Sequence, residues 1–96
     1  MPVYVVLYHL TEQGRKTIRN LADRMDEASA RAQSQGIKVL GSYVTMGPYD
    51  VVTIVEAPSD EAIARGAAAI LERGNVTSMT MRAFTAAEWR QITQGS

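Results

Sequence analysis

The sequence contains no cysteine, and it has one histidine, one tryptophan and one phenylalanine in 96 residues. The lack of cysteine excludes disulfides, thiolate nucleophiles and cysteine-ligated zinc. One histidine among scattered acids predicts no ligand set for a metal, and we expect no cofactor. The sequence also lacks a glycine-rich phosphate loop and a recognisable serine–histidine–aspartate grouping. No familiar catalytic motif is therefore predicted.

The sequence has no excess of charge, because ten basic residues balance ten acidic ones. It contains no stripe of lysine and arginine, so we do not expect nucleic acid as a partner. The apolar segment at residues 1–10 lacks the basic region and cleavage site of a signal peptide, and it is too short to span a bilayer. We therefore expect a cytoplasmic protein without a membrane partner.

Segments rich in β-branched and apolar residues alternate with segments of helical periodicity. The predicted strands and helices are strands at 3–10, 37–46, 49–57 and 75–84, and helices at 11–35, 60–73 and 85–92. The order β-α-β-β-α-β with a short C-terminal helix is the ferredoxin-like pattern. We expect a single α+β domain over residues 1–96, with an antiparallel sheet and both main helices on one face.

Polar residues mark where the predicted helices begin. Ser59 is placed to cap the second helix, and Thr85 with Glu88 makes a complete capping box for the terminal helix. Trp89 and Ile92 are expected to fasten that terminal helix to the rest of the protein.

Glycines mark predicted ends and irregularities. Gly36 and Gly74 are expected to stop the two long helices. Gly41, inside the second strand, predicts a β-bulge or a close approach of the backbone. Gly47, in the hairpin connection, is expected to need a positive φ.

The first predicted strand is apolar on both faces, since its alternating sets are Val3, Val5, Leu7 and Tyr4, Val6, Tyr8. Helices cover one face of such a sheet, so the other face needs a partner. At roughly 25 cal/mol per Å², a face of several hundred Å² is worth on the order of 10 kcal/mol before association costs. We therefore expect a homodimer, or a higher oligomer, in which two sheets pack as a dimeric α/β barrel.

Four separated segments carry a resemblance to a known family: "YVVLYHLTEQG", "YVTMGPYDVVTIVEAP", "GNV" and "RAFTAAEW". Together they resemble the GYD domain family, whose Gly-Tyr-Asp turn corresponds here to residues 47–50. The resemblance runs from Pro2 to about Ile92. It implies a small, stand-alone, dimeric α/β-barrel protein of bacterial type, in a family without an agreed function.

A weaker likeness links the Gly-x-x-Asp turn to the effector-binding domains of Lrp/AsnC regulators, where the turn lies near a small-molecule pocket. No helix-turn-helix segment precedes it in this sequence, so DNA binding is not expected.

The predicted strands and helices alternate in direction, so three loops, 9–14, 45–50 and 74–75, end at the same edge of the sheet. In the usual strand order, 4-1-3-2, the first and third strands are neighbours. His9, late in the first strand, should then lie near Asp50, early in the third. The candidate binding residues at this edge are His9, Thr11, Gln13, Thr45, Tyr49, Asp50 and Asn75.

Each of these residues also has a structural interpretation. Asp50 is more readily explained as an acceptor for backbone amides of a turn, and Thr11 as a helix cap. A lone strand-end histidine such as His9 is more often a surface residue than a catalyst. Tyr49 fits a dimer seam, and Asn75 fits a turn that tolerates a left-handed conformation.

A second candidate lies at the opposite edge, where Arg82 is predicted near Tyr4 and Glu56. If Arg82 faces the barrel, its guanidinium suits a bidentate contact with an anion. An ion pair with Glu56 or with an acid of a partner chain is an equally good interpretation.

Three classes of function remain open from the sequence. A dimeric module that binds a small molecule, as a sensor or carrier, is preferred because Tyr4, Tyr8 and Tyr43 suit an amphipathic cavity. A cofactor-independent enzyme of monooxygenase, isomerase or dehydratase type would use His9 and Asp50 as its base. A purely structural assembly protein would use the same turn only to shape an interface.

Overall fold

The computed structural model describes residues 1–95 and contains four strands and four α-helices in that range. The elements in chain order are β1 (Val3–Leu10), α1 (Glu12–Arg15), a 3₁₀ turn (Ile18–Asn20), α2 (Leu21–Ser34), β2 (Lys38–Val44), β3 (Val51–Glu56), α3 (Asp60–Leu71), β4 (Val76–Ala83) and α4 (Ala86–Gln94).

The four strands form one antiparallel sheet in the order β2-β3-β1-β4. This confirms the predicted α+β fold and its strand order. The pairing of β2 with β3 shifts register between Val39 and Gly41, which confirms the predicted bulge.

The core lies between the sheet and the helices α2 and α3. Tyr4, Val6 and Leu10 alternate along β1 and are buried on this face, as are Val51 and Val55 of β3. Two clusters of buried residues form there. One surrounds Tyr4 and Val55 near the start of α3, and the other joins Leu10 and Val51 to the start of α2.

The opposite face of the sheet, here called the open face, is apolar and partly exposed. By register it carries Val3, Val5, Leu7, Val52, Ile54, Met79 and Met81. Met79 is 51% exposed and Met81 is 41% exposed, although both lie among apolar neighbours. The protein therefore presents apolar surface on the side of the sheet away from its buried core.

The first predicted helix is broken in the structure. A single turn, α1, is followed by the 3₁₀ turn, and Thr17 leaves helical geometry with φ −119° and ψ 34° before α2 begins. Gly14 explains the break, because it packs so closely on Asn75 that a Cβ would lie 2.1 Å from the Asn75 carbonyl oxygen. Gly14 therefore places α1 against the loop before β4, and the next α-helix begins at Leu21.

Two further predictions are wrong. Gly47 does not have a positive φ; in residues 1–95 only Gly36 and Gly74 do, and both follow helix ends as predicted. The connection at residues 45–50 is long enough to bend without a left-handed residue. Trp89 and Ile92 do not fasten α4, because they are 57% and 49% exposed.

Candidate functional site

The three predicted loops do meet, and Asp50 joins two of them. Its Oδ2 atom accepts a hydrogen bond from the Leu10 amide at 2.8 Å, and its own amide donates to the Tyr8 carbonyl at 2.8 Å. Leu10 is buried, so this carboxylate satisfies an amide at the end of β1 that would otherwise lack a partner. Asp50 thus holds the β2–β3 connection against β1.

His9 and Tyr49 form an aromatic pair at this edge, in which His9 is exposed and Tyr49 half-buried. Their rings stack with centroids 4.5 Å apart and an interplanar angle of 29°. The Tyr49 hydroxyl lies 3.9 Å from the sulfur of Met79, a residue of the open face. The His9 ring therefore lies against Tyr49, while the Asp50 carboxylate binds the Leu10 amide.

Thr11, Gln13 and Asn75 join the first loop to the third. The Thr11 hydroxyl caps α1 by accepting from the Gly14 amide at 3.1 Å, and it donates to the Gly74 carbonyl at 2.6 Å. The Gln13 amide nitrogen donates to the Asn75 side-chain oxygen at 3.0 Å. The hydrogen bonds of these side chains hold the two loops together.

Thr45 makes its hydrogen bonds within its own loop, residues 45–50. Its hydroxyl donates to the Tyr49 carbonyl at 2.6 Å, and its amide donates to the Asp50 carbonyl at 2.8 Å. The seven predicted residues are thus brought together, but five of them make hydrogen bonds that shape the loops. Only the His9–Tyr49 ring pair is left as a surface feature.

Arg82 lies beside Tyr4 at the opposite edge of the sheet, as predicted, but its side chain is not on the open face. It pairs with Tyr4 across β1 and β4, on the buried side of the sheet, whereas Glu56 pairs with Val3 on the open face. The guanidinium donates to the carbonyls of Val3 and Ala83 and lies over the Phe84 ring, with its carbon 4.4 Å from the ring centroid. Arg82 therefore neither faces the open side nor shares a face with Glu56.

Tyr4, beside Arg82, is hydrogen-bonded to the first residue of α3. Its hydroxyl donates to the Asp60 carboxylate, and this hydrogen bond raises the pKa of Tyr4. Ser59 caps the same helix as predicted, accepting from the Ala62 amide at 3.2 Å. Tyr4 is thus a link between sheet and helix and does not line a cavity.

A cavity of about 190 Å³, here called the helix-side cavity, lies between the sheet and the helices α2 and α3. Its walls are mainly apolar. Its main lining residues are Val6, Tyr8, Leu10, Leu21, Met25, Ala28, Ala32, Val51, Thr53, Val55, Ile63, Gly66, Ala67, Ile70, Val76 and Thr80. Small residues on the inner faces of both helices leave this space open.

Polar side chains form the smaller part of the cavity wall; they are those of Tyr8, Arg24, Glu27, Ser29, Arg31, Gln35, Ser42, Thr53, Arg73, Asn75 and Thr80. Arg24, in the first turn of α2, lines it; its Nη2 atom donates to the carbonyls of Gly14 and Thr17 at 3.2 and 3.3 Å, and its Nε atom is buried without a hydrogen-bond partner. Tyr8 also lines the cavity, and burial raises the pKa of its hydroxyl.

Sequence reasoning missed the helix-side cavity. Of the eight predicted binding residues only Asn75 lines it, and of the three tyrosines expected at a cavity only Tyr8 does. A signal was present in the small residues at 28, 32, 66 and 67, which share the inward stripes of α2 and α3. Small side chains on an inward stripe indicate either close helix packing or an unfilled space.

Residues 1–95 contain no group of three or more histidine, aspartate or glutamate side chains placed to hold a metal ion. Among the helices of the described residues, none has both the length and the apolar character needed to traverse a bilayer.

The sequence matches a known protein family and a characterised relative over nearly its whole length. A family model described as "GYD domain" matches residues 4–93, nearly the whole chain. The chain belongs to the GYD domain family. A relative in Thermus thermophilus, named "Glutamine synthetase and cystathionine beta-lyase binding protein", is 34% identical over 89 residues, covering 92% of this chain and 94% of the relative.

Two solved structures resemble this GYD domain protein in fold. The crystal structure of FFRP-DM1 matches with a TM-score of 0.63 and 19% identity, over 88% of this chain and all of that chain. A crystal structure of a protein from Thermus thermophilus matches with a TM-score of 0.59 and 23% identity, over 90% of this chain and 96% of that chain. At such identities the likeness concerns the fold alone.

Proposed function

We propose that this GYD domain protein is a homodimeric module that binds a small molecule, as a sensor or carrier. The observation that carries the proposal is the helix-side cavity, which has a volume of about 190 Å³, is lined by one protomer and is partly open to solvent. An apolar cavity of about 150 Å³ is large enough to hold benzene. The cavity is therefore suited to a ligand of about one ring in size.

A cofactor-independent enzyme is the weaker proposal. It would need a base beside the bound substrate, and His9 and Asp50 are not among the residues that line the cavity. The Asp50 carboxylate is also engaged by the Leu10 amide. Ligand binding without catalysis therefore fits the arrangement better. The proposed protein is cytoplasmic, which cell fractionation would test.

The dimer is proposed from the open face. The accessible surface of the protomer is 6471 Å², whereas about 5,400 Å² is usual for a monomeric protein of this mass. Excess surface with exposed methionines is what a protomer shows when its partner is removed. Two copies packed through their open faces would make the barrel that the sequence predicts.

Small-molecule binding is tested by titrating ¹⁵N-labelled protein with benzyl alcohol, a neutral probe of ring size. Amide shifts are expected at residues lining the cavity, such as Val6 and Val51. Ala67→Leu narrows the cavity and should abolish these shifts, whereas Ala68→Leu, on the exposed side of the same helix, should preserve them. Shifts that persist in Ala67→Leu, or no shifts in the wild type, would contradict the proposal.

The dimer is tested by light scattering at micromolar concentration, with Met79→Lys as the variant. Met79 is half exposed in the protomer, so folding should survive while two facing lysines break the dimer. Ala64→Lys adds the same charge at an exposed position of α3 and should leave the dimer intact. A monomeric wild type, or a dimer that survives Met79→Lys unchanged, would count against this interface.

A second candidate function is binding to another protein, and the observation that favours it is the name of the Thermus relative at 34% identity. By that analogy the module would contact a metabolic enzyme such as glutamine synthetase. Sedimentation of the purified protein with the glutamine synthetase of its own organism tests this directly. Independent sedimentation of the two at micromolar concentrations would refute it.

A further inference from the structure

We infer that the helix-side cavity takes a small aromatic hydroxy acid, whose hydroxyl bonds to Tyr8 on the sheet and whose carboxylate lies between Arg31 and Arg73 at the mouth. This inference rests on the proposed small-molecule function and goes further by naming the ligand class and the residues that select it. Three features carry it: a divided hydrophobic core, hydroxyl groups on the sheet, and two arginines on facing helices.

The hydrophobic core is divided in two where the cavity lies. One buried cluster, with Ile37 and Val55, lies at the end of the sheet where α3 begins, and the other, with Leu10 and Val51, lies where α2 begins. All four of these residues line the cavity. An apolar body placed between the clusters would therefore contact apolar side chains on two sides. The volume of about 190 Å³ suits one ring, since an apolar cavity of about 150 Å³ holds benzene.

The sheet beneath this gap carries hydroxyl groups. One row across the four strands consists of Ser42, Thr53, Val6 and Thr80, in that order, and all four line the cavity. The Ser42 and Thr53 hydroxyls share a hydrogen bond of 3.2 Å. Because each hydroxyl supplies one donor, this bond uses only one of their two donors. The floor of the cavity can therefore accommodate a polar group of a ligand.

Tyr8 follows this row on β1 and offers the hydroxyl best suited to a ligand. Its ring packs on the cluster of Leu10 and Val51, and its hydroxyl forms no hydrogen bond within residues 1–95. A phenol hydroxyl both donates and accepts, so it matches a second hydroxyl. A neutral group suits this half-buried position, because a charged group would lose its hydration there. The hydroxyl of the ligand is therefore expected at the sheet and the carboxylate at the mouth.

The mouth lies between α2 and α3, which are hardly in contact with each other. α2 begins at the end of the sheet where β1 ends, and α3 at the end where β1 begins, so the helices run in opposite directions. Gly66 and Gln35 lie at one level, because a Cβ on Gly66 would be 4.0 Å from the Gln35 Oε1 atom. At 1.5 Å per residue, Arg31 and Arg73 lie roughly 6 and 10 Å from that level, in the same direction. They therefore flank the mouth from opposite sides.

The side chains of Arg31 and Arg73 are not engaged elsewhere. Within residues 1–95 they form no hydrogen bond or ion pair, and only their backbone carbonyls accept hydrogen bonds. Arg24, by contrast, is held by two backbone carbonyls, and the Asn75 side chain is bonded to the first loop. A carboxylate has two oxygens and can accept from both guanidinium groups, each bond being charge-assisted. The mouth is thus suited to an anionic group that stays partly hydrated.

The test crosses the two polar groups in one set of probes, measured by calorimetry at pH 7: 4-hydroxybenzoate, benzoate, 4-hydroxybenzyl alcohol and benzyl alcohol. The ring hydroxyl is expected to raise affinity about threefold to tenfold, as a neutral hydrogen bond does. The carboxylate is expected to raise it about tenfold, because its hydrogen bonds are charge-assisted. 4-Hydroxybenzoate should therefore bind most tightly of the four.

Two variants assign these gains to residues. Tyr8→Phe should abolish the advantage of 4-hydroxybenzoate over benzoate and leave the affinity for benzoate unchanged, whereas Tyr43→Phe, outside the cavity on the exposed edge strand β2, should change neither. Arg31→Gln should reduce the advantage of benzoate over benzyl alcohol about threefold or more. Arg65→Gln, at an exposed position of α3, is its matched control.

The outcomes separate this inference from the proposed function. Equal affinity for all four probes overturns the ligand class and leaves small-molecule binding in place, whereas failure of all four to bind overturns both. If Tyr8→Phe weakens all four equally, Tyr8 only supports the fold and the inference is wrong. If that variant does not fold, nuclear Overhauser effects in the wild type decide. The ring protons beside the hydroxyl of 4-hydroxybenzoate must contact the Tyr8 ring, and the reverse orientation overturns the inference.

Discussion

Asp50 accepts a hydrogen bond from a backbone amide, which is the role that the sequence favoured over that of a base. Its carboxylate satisfies the amide of buried Leu10, so Asp50→Ala should lower the free energy of unfolding by about 1.5–3 kcal/mol. Asp50→Asn keeps an acceptor in place and should cost less. Urea denaturation of both variants measures the difference. Equal losses would mean that the negative charge matters more than the hydrogen bond.

Gly14 is the glycine with the tightest packing, and it lies between the loops at residues 9–14 and 74–75. A Cβ there would lie 2.1 Å from the Asn75 carbonyl oxygen, a backbone atom that cannot move aside cheaply. Gly14→Ala is expected to cost roughly 1–3 kcal/mol of stability through overpacking.

Gly47→Ala is the matched control, because nothing lies within 4 Å of a Cβ at that position. Its effect should stay within about 0.5 kcal/mol. Thermal unfolding of both variants checks the pair, and similar midpoints would show that the approach of Gly14 to Asn75 is not tight.

The terminal helix α4 depends on its cap because its apolar side chains Trp89 and Ile92 are exposed. The Thr85 amide donates to the Glu88 carboxylate at 2.9 Å, and the Glu88 amide donates to the Thr85 hydroxyl at 3.1 Å. The hydrogen bond from the Thr85 backbone, followed by that from its side chain, lowers the pKa of Glu88 from its usual 4.5.

The lowered pKa of Glu88 determines how the stability of α4 changes with pH. The stabilisation by Glu88 is present above about pH 4.5 and is lost as the pH falls through the lower pKa of the folded state. We expect the helical signal of α4 to decrease on acidification in that range, measured from the amide resonances of residues 86–94. Glu88→Gln should remove this pH dependence, and an unchanged profile in the variant would argue against the cap as its cause.

The molecule as a whole is more extended than its length requires. Its radius of gyration is 14.4 Å, whereas about 12.5 Å is usual for a domain of this length. Phe84, Trp89 and Ile92 are exposed on and beside α4. An arm with exposed apolar side chains is expected to pack on a second copy.

Trp89, the single tryptophan, reports on that packing. Its fluorescence should shift to longer wavelength on dilution, as the dimer separates and the indole enters water. The Met79→Lys variant should show the long-wavelength emission at every concentration. Emission that does not change with dilution while light scattering records dissociation would place α4 outside the interface.

The order of strands and helices, the caps at Ser59 and Thr85, the bulge at Gly41 and the helix ends at Gly36 and Gly74 followed from the sequence alone. Each depends on neighbours within a few residues, where side-chain chemistry and backbone preference decide the conformation. The approach of Gly14 to Asn75, the hydrogen bond from Leu10 to Asp50 and the helix-side cavity were decided by the tertiary structure. They join residues about 40 to 60 positions apart, and no local preference specifies how closely such segments pack or what space they leave between them.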